Sequence, residues 1–281
     1  DEIVLEKLSL QKGKADLKRW STMVETIKTA KQEVTVGLVG KYIELNDSYK
    51  SINEALCHGG IAHKARIKLE RIDSEHLASE EQLSAELDKL DAILIPGGFG
   101  QRGIEGMINA ARYAREHKIP AFGICLGMQI MVIEYARTVL GYEDADSTEF
   151  SQTSPHPVIS LLEEQVDVKM YGGTMRLGRS ETVLQDGTKI RQSYGKNVVY
   201  ERHRHRYEVS NTFREELDQA GLVISGLTPE GALVESVEWP DHPWGVGVQF
   251  HPEFTSTPIS PHPLFAGFIK AGLEYQKRNE T

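Results

Sequence analysis

Cys125 stands between Gly123 and Gly127, at the end of the short apolar run Ile119-Pro120-Ala121-Phe122-Gly123-Ile124. A helical pattern begins at once after it, with Leu126, Met128, Ile130, Met131 and Ile133 interleaved with Glu134 and Arg137. The segment reads as strand, sharp turn and helix with a thiol at the apex, the cysteine form of a nucleophile elbow. Flanking residues without a Cβ let the backbone pass close to such a turn. The amides and partial positive charge at the start of the following helix favour the thiolate, which is the nucleophilic form. Free cysteines are also often inert core residues, so this segment alone leaves both roles open. A cysteine nucleophile needs a base, and the base needs a group to orient it. Both occur far along the chain, where Gln249-Phe250-His251-Pro252-Glu253 places an imidazole two residues from a carboxylate. A His-Pro-Glu turn says little by itself; paired with the elbow it says much more.

Two further segments carry suitable residue types. Gly97-Gly98-Phe99-Gly100-Gln101-Arg102-Gly103 follows an apolar run ending at Pro96. Its glycines could turn N–H groups toward an oxyanion, with a second N–H from Leu126, the residue after the thiol. An ordinary glycine turn is the alternative. Glu201-Arg202-His203-Arg204-His205-Arg206-Tyr207 is the densest basic run. If extended, it puts Arg202, Arg204 and Arg206 on one face and His203, His205 and Tyr207 on the other. That pattern fits an anion site, because guanidinium grips carboxylates in a fork, and fits a salt-bridged surface strand equally well. Metal binding by the two histidines is weakly supported, since no carboxylate or cysteine cluster accompanies them.

The elements that must position these residues alternate along the chain. Val34-Thr35-Val36-Gly37-Leu38-Val39-Gly40 predicts a strand buried on both faces. Gly40-Lys41 is a fragment of a phosphate loop, but the rest of that pattern is missing, which excludes an ATPase reading. Residues 48–63 predict a helix capped by Asn46 or Asp47, with Cys57 as a small core residue. Strands are expected at 68–72 and 90–96, and helices at 83–90 and 104–117. Turns and short strand-like pieces are expected over 141–200. In the segment from Trp244 to Phe250, Trp244, Val246, Val248 and Phe250 form the buried face, while Gly245, Gly247 and Gln249 leave space opposite. A helix over 264–275 closes the chain. Strand and helix repeated about four times imply an α/β fold with a doubly wound, mostly parallel sheet flanked by helices. Leu17, Trp20, Met23, Val24 and Ile27 fall at helical spacing. Residues 1–32 are therefore expected to be a linker with an amphipathic helix, or a simple N-terminal helix packed on the core. Residues 33–281 form the domain.

Composition bounds the function. The chain has 281 residues, 40% hydrophobic and 26% charged, ordinary for a soluble globular protein. Two cysteines are too few for a disulfide scaffold and suggest a reducing, cytoplasmic setting. No apolar run reaches the roughly 18 residues of a membrane span, and no signal peptide opens the chain. The absence of an initiator Met sets the expectation of a fragment of a longer protein. A net charge of −9 argues against nucleic acid as the main partner.

The elbow Gly-Ile-Cys-Leu-Gly-Met-Gln, the Pro-Gly-Gly-Phe-Gly loop and Gln-Phe-His-Pro-Glu together resemble the class I, triad-type glutamine amidotransferases. Five segments narrow the resemblance to the glutaminase domain of the CTP synthase family, over about residues 33–276. They are Phe99-Gly100-Gln101-Arg102-Gly103, Ser147-Thr148-Glu149-Phe150, Gly172-Gly173-Thr174-Met175-Arg176-Leu177-Gly178, the basic run, and His251-Pro252-Glu253-Phe254-Thr255-Ser256-Thr257-Pro258. The resemblance implies a flavodoxin-like fold and L-glutamine as substrate. By that resemblance, Cys125 attacks the side-chain amide, His251 moves the proton and Glu253 orients His251. The N–H groups of Gly98 and Leu126 hold the oxyanion, and Leu126, Gly127, Met128 and Gln129 line the pocket. Glu149 meets the substrate's ammonium and Arg206 its carboxylate. The resemblance further implies an amidoligase (synthetase) domain, joined through residues 1–32, that uses ATP, Mg and UTP and receives the ammonia to make CTP. GTP would activate the glutaminase, with Phe99 stacking on guanine, and the full enzyme would be a homo-oligomer. The domain itself would need no cofactor. An assembly module, or another cysteine hydrolase such as a γ-glutamyl hydrolase, are the competing functions; the Glu149 and Arg206 segments argue against the latter.

Overall fold

A computed structural model describes residues 2–11, 13, 16–43, 47–161 and 175–279. Asn46, proposed as a cap, and Gly172-Gly173-Thr174 lie outside the described residues. The chain opens with helices α1 (Glu2–Lys7) and α2 (Lys18–Thr29). Alternation then follows as β1 (Gln32–Gly40), α3 (Lys50–His63), β2 (Ala65–Asp73), α4 (Glu80–Leu87), β3 (Ala92–Ile95), α5 (Ile104–Glu116), β4 (Ala121–Ile124) and α6 (Leu126–Thr138). The second half contributes β5 (Asp146–Ser147), β6 (Pro157–Leu161), β7 (Arg176–Leu184), α7 (Lys189–Tyr194), β8 (Val198–His205), β9 (Tyr207–Val209) and α8 (Asn211–Gln219). It ends with β10 (Val223–Leu227), β11 (Val234–Glu238), β12 (Gly245–Val248) and α9 (Pro263–Asn279).

Among the described residues the main sheet runs β2-β1-β3-β4-β12-β11-β10-β7-β8. Its first five strands are parallel, in the order of a flavodoxin-like doubly wound sheet. From β12 onward the sheet continues as an antiparallel wing. A small sheet, β5-β6-β9, sits apart from it. Helices cover both faces of the parallel part, which is why the inner strands β3 and β4 read as apolar runs, whereas edge strand β2 is mixed. Val39, Ile93 and Ile95 pack with α4, α5 and α6 on one face. Val34, Val36, Leu38 and Leu94 pack with α3 and α9 on the other.

Helix α6 is buried from Leu126 to Ala136. A helix apolar nearly all round belongs inside a layer, and this one is. Its one charge there, Glu134, accepts from the Arg115 guanidinium of α5 at 2.8–3.0 Å. Gly127 lets it lie on β3, because a Cβ there would run into the carbonyl of Ile95.

Several local expectations are corrected. Helix α4 starts at Glu80, earlier than expected, because Ser79 and Gln82 form a capping box. Helix α3 has no side-chain cap; Asp47 contributes only its backbone carbonyl to the N–H of Lys50. Cys57 is exposed, since α3 buries Ile52, Ala55, Leu56 and His58 and turns position 57 outward. The basic run does not form one strand. It bends at Arg206, so β8 stays in the main sheet and β9 joins the small one. The space across from Val246 and Val248 is filled: Gly245 faces the Trp239 ring and Gly247 faces Met128 of α6. Region 141–200 holds a nine-residue strand, β7, as well as short pieces.

Candidate active site

Cys125 occupies the turn between β4 and α6 with φ 55° and ψ −104°, a conformation that L-residues rarely adopt. The surrounding structure enforces it. The N–H of Cys125 donates to the carbonyl of Val248 at 2.7 Å, tying the elbow to the end of β12. Its carbonyl accepts from Met128 and Gln129 at 3.1 and 3.3 Å, which starts α6. The N–H of Leu126 is a first-turn amide, one of those with no partner inside a helix. The side chain is 5% exposed, buried at the floor of a cleft.

Strand β12 pairs with β4 in parallel, so its end lies beside the elbow. There the chain enters a single 3-10 turn at 252–254, and the N–H of His251 donates to the carbonyl of Arg202 on β8 at 2.8 Å. Nδ1 of His251 lies 2.8 Å from Oε1 of Glu253. The ring stands beside the elbow, and both His251 and Cys125 line one cavity. Burial opposes charge on this imidazole, but the hydrogen bonds to Cys125 and Glu253 and the charges of those groups outweigh it, pushing it up to about 10. Gly97 makes the approach possible: a Cβ there would sit 3.1 Å from Cε1 of His251 and 3.6 Å from Cβ of Cys125. Thiol, imidazole and carboxylate thus form a chain in which the sulfur can lose a proton to a ring held by an acid.

A cavity of about 320 Å³ opens on the sulfur, lined by residues that include Gly98, Leu126, Gln129, Glu149, Arg206 and Tyr207. A carboxylate and a guanidinium at its wall suit the two charged ends of an α-amino acid. Gly127 and Met128 do not line it; Gly127 lies against β3 and Met128 is packed in the core against Gly247 of β12.

With this geometry in view, the chain matches the family described as glutamine amidotransferase class-I over residues 44–271. The chain belongs to the class-I glutamine amidotransferase family. It is 54% identical over 277 residues to the CTP synthase of Carboxydothermus hydrogenoformans, covering 99% of this chain and 52% of the relative. The chain therefore spans about half the length of that curated relative. Among solved structures, it is similar to the glutaminase domain of Trypanosoma brucei CTPS with bound acivicin, with a TM-score of 0.81 at 40% identity. That likeness covers 86% of this chain and 94% of the other.

The cleft beside Cys125 has contacts that no sequence pattern announced. Nε2 of Gln249 lies 3.8 Å from the sulfur, and Nε2 of Gln129 donates to Oε1 of Gln249 at 3.1 Å and to the carbonyl of Tyr207 at 3.0 Å. Behind the cleft, His203 and His205 contact each other at 3.0 Å and face Glu235 and Glu208 at 3.3 and 3.4 Å. Burial, then the charge of Arg176, holds both imidazoles neutral. The basic run is therefore split in role: alternate residues of β8 are buried, and the end of the run, Arg204 to Tyr207, lines the 320 Å³ cavity. Among the described residues no group of three or more His, Cys, Asp or Glu is gathered to hold a metal ion, and no helix is long and apolar enough to cross a membrane.

A second cavity, of about 300 Å³, reaches Cys125 and His251 from another side and is lined by Tyr42, Gly97, Gly98, Phe99, Arg204 and Phe254 among others. Phe99 stands half-exposed at its wall.

Proposed function

We propose that the chain is the glutamine-hydrolysing half of a CTP synthase. The observation that carries this reading is the meeting of Cys125, His251 and Glu253 at one strand end, beside a cavity that holds both Glu149 and Arg206. Cys125 Sγ attacks the side-chain amide carbon of L-glutamine, giving a tetrahedral oxyanion held by the N–H groups of Gly98 and Leu126. His251 then donates its proton to the departing nitrogen, and ammonia leaves a thioester behind. Water attacks the thioester with His251 as base, which restores the thiol and releases glutamate. Glu253 keeps the ring in the productive tautomer. Glu149 takes the substrate's ammonium and Arg206 its carboxylate.

The missing half of the relatives' length supports a synthetase domain, attached through residues 1–32, that uses ATP, Mg and UTP and takes up the ammonia. The same reading makes the full protein a cytoplasmic homo-oligomer. GTP fits the second cavity, where the open Phe99 face offers a stacking surface and Arg204 a cation for phosphate. The bound acivicin of the trypanosomal relative suggests the test. A glutamine-like electrophile labels the protein, and the modified residue is mapped by mass spectrometry. Modification at Cys125, blocked by excess glutamine and abolished in Cys125→Ala, is expected. Labelling elsewhere, or glutamine turnover that persists in Cys125→Ala, would remove the assignment. Hydrolysis by the chain alone is expected to be slow, because effector and partner surfaces are incomplete.

A further inference from the structure

Lys41 follows β1, where it completes the phosphate-loop fragment that the fold does not use as one. It is 2% exposed, and its head reaches the loop that carries Gly98. Nζ donates to the carbonyl of Phe99 at 3.3 Å and to that of Gly100. The hydroxyl of Tyr42 donates to the same Phe99 carbonyl at 3.3 Å. On the other side, the N–H of Gly100 donates to Oε1 of Glu149 at 2.8 Å. The Phe99 carbonyl and the Gly100 N–H belong to one peptide unit, so a cation and an anion hold that plane by its two ends. The aliphatic stem of Lys41 backs the neighbouring residue: a Cβ on Gly98 would lie 3.5 Å from Cε of Lys41. Arg102 fixes the clamp from below, donating to the carbonyl of Lys41 and pairing with Glu75 at 3.0 Å. Gly100 takes φ +77°, so the loop can flip at this point without a side-chain penalty unless something holds it.

We propose that Lys41 is a positioning residue that, opposite Glu149, clamps the Phe99–Gly100 peptide and so keeps the N–H of Gly98 aimed at the oxyanion forming beside Cys125. This rests on the glutamine reading above. It also gives Glu149 two tasks, because the carboxylate assigned to the substrate's ammonium is the one that holds the oxyanion loop. Glutamine binding and loop geometry are thereby coupled through a single side chain. Burial keeps a lysine here only because its partners are good. The same burial draws its pKa down to about 8, against the raising influence of Glu149. Carbonyl oxygens are strong acceptors for an ammonium, and losing it removes this donor from the Gly100 carbonyl and leaves the Phe99 carbonyl to the Tyr42 hydroxyl.

The test compares two reactions of the same sulfur in the wild type and in Lys41→Met. Glutamine hydrolysis passes through an oxyanion, whereas alkylation of Cys125 by iodoacetamide does not. Lys41→Met is expected to lower kcat for glutamine about 100-fold, the scale of losing one oxyanion donor. KM should change less than about threefold and the alkylation rate should be unaltered, the signature of an interaction made only in the transition state. Tyr42→Phe, which removes one half-exposed hydroxyl, should move kcat the same way by a few-fold and guards against a folding defect in the lysine variant. Unchanged turnover in Lys41→Met, or equal loss of turnover and alkylation, overturns the proposal. Amide hydrogen exchange over residues 97–103 reads the clamp without any substrate and should quicken in Lys41→Met; an unchanged rate also overturns it. A wild type that exchanges slowly yet never hydrolyses glutamine would instead sink the glutamine reading.

Discussion

At the scale of single residues, the environment of His251 has a thermodynamic signature. Its pKa is raised to about 10, above the value near 6.5 that an unfolded chain gives it. A group raised on folding stabilises the protein fully below its unfolded pKa, and that contribution is lost as pH rises through the folded one. Stability should therefore fall between about pH 6.5 and 10, measured as the urea midpoint. In Glu253→Gln this slope should flatten, and kcat should drop by roughly 10²–10⁴-fold, as when the orienter of a catalytic base is removed. An unchanged slope in the variant would show that Glu253 does not hold the imidazolium. Cys125, His251 and Glu253 stood out in the sequence by side-chain type and local frame, and the structure gathers them at one strand end. Lys41 was not legible. Its role depends on backbone carbonyls of a distant loop, and a carbonyl leaves no mark in a sequence.

At the scale of elements, the elbow depends on how closely α6 can approach β3. Gly127→Ala would force a Cβ into the Ile95 carbonyl, on backbone that cannot move aside. It should cost about 1–3 kcal/mol or more and disable thiol labelling, read by thermal melting and alkylation. The Arg115–Glu134 pair joins α5 to the buried face of α6. Arg115→Met strands a carboxylate that is 0% exposed on its side chain, and should cost about 3–5 kcal/mol in urea titration. Arg115→Met with Glu134→Leu should recover most of that loss, since no charge is left unpaired. His242 holds the turn before β12 against α5: Nε2 contacts the carbonyl of Ala114 at 3.1 Å, and Nδ1 accepts from the N–H of Trp244 at 3.3 Å. Burial lowers it to about 4. A lowered histidine stabilises fully above its unfolded pKa and loses that contribution as pH falls through the folded one. The difference in stability between wild type and His242→Asn should accordingly shrink from pH 6.5 to 4. The strand–helix alternation was readable because the inner parallel strands β3 and β4 are apolar. The break at Arg206 was not, since an alternating pattern looks the same whether or not the chain changes sheet.

For the whole molecule, the N-terminal helices lie on the surface, with Arg19 of α2 donating to the carbonyl of Ile259 at 3.2 Å. Neither α1 nor α2 has a buried residue, and Leu17, Trp20, Val24 and Ile27 are all exposed. Removing residues 1–30 should therefore shift the thermal midpoint by less than about 2 °C and leave labelling of Cys125 intact, because surface elements without core contacts contribute little. A large drop would place this segment within the folded unit. The antiparallel wing β11-β10-β7-β8 was only partly visible from sequence: β7 follows residues whose pattern is mixed, and its partner strands arrive from later in the chain.

The parallel pairing of β12 with β4 brings together residues made at very different moments of synthesis. A ribosome delivers the cysteine more than a hundred residues before it delivers the imidazole. Until β12 slots in beside β4, the nascent chain lacks the Val248 carbonyl that holds the N–H of Cys125 in its twisted pose. The turn that carries the sulfur is thus set in place only when the fold is completed.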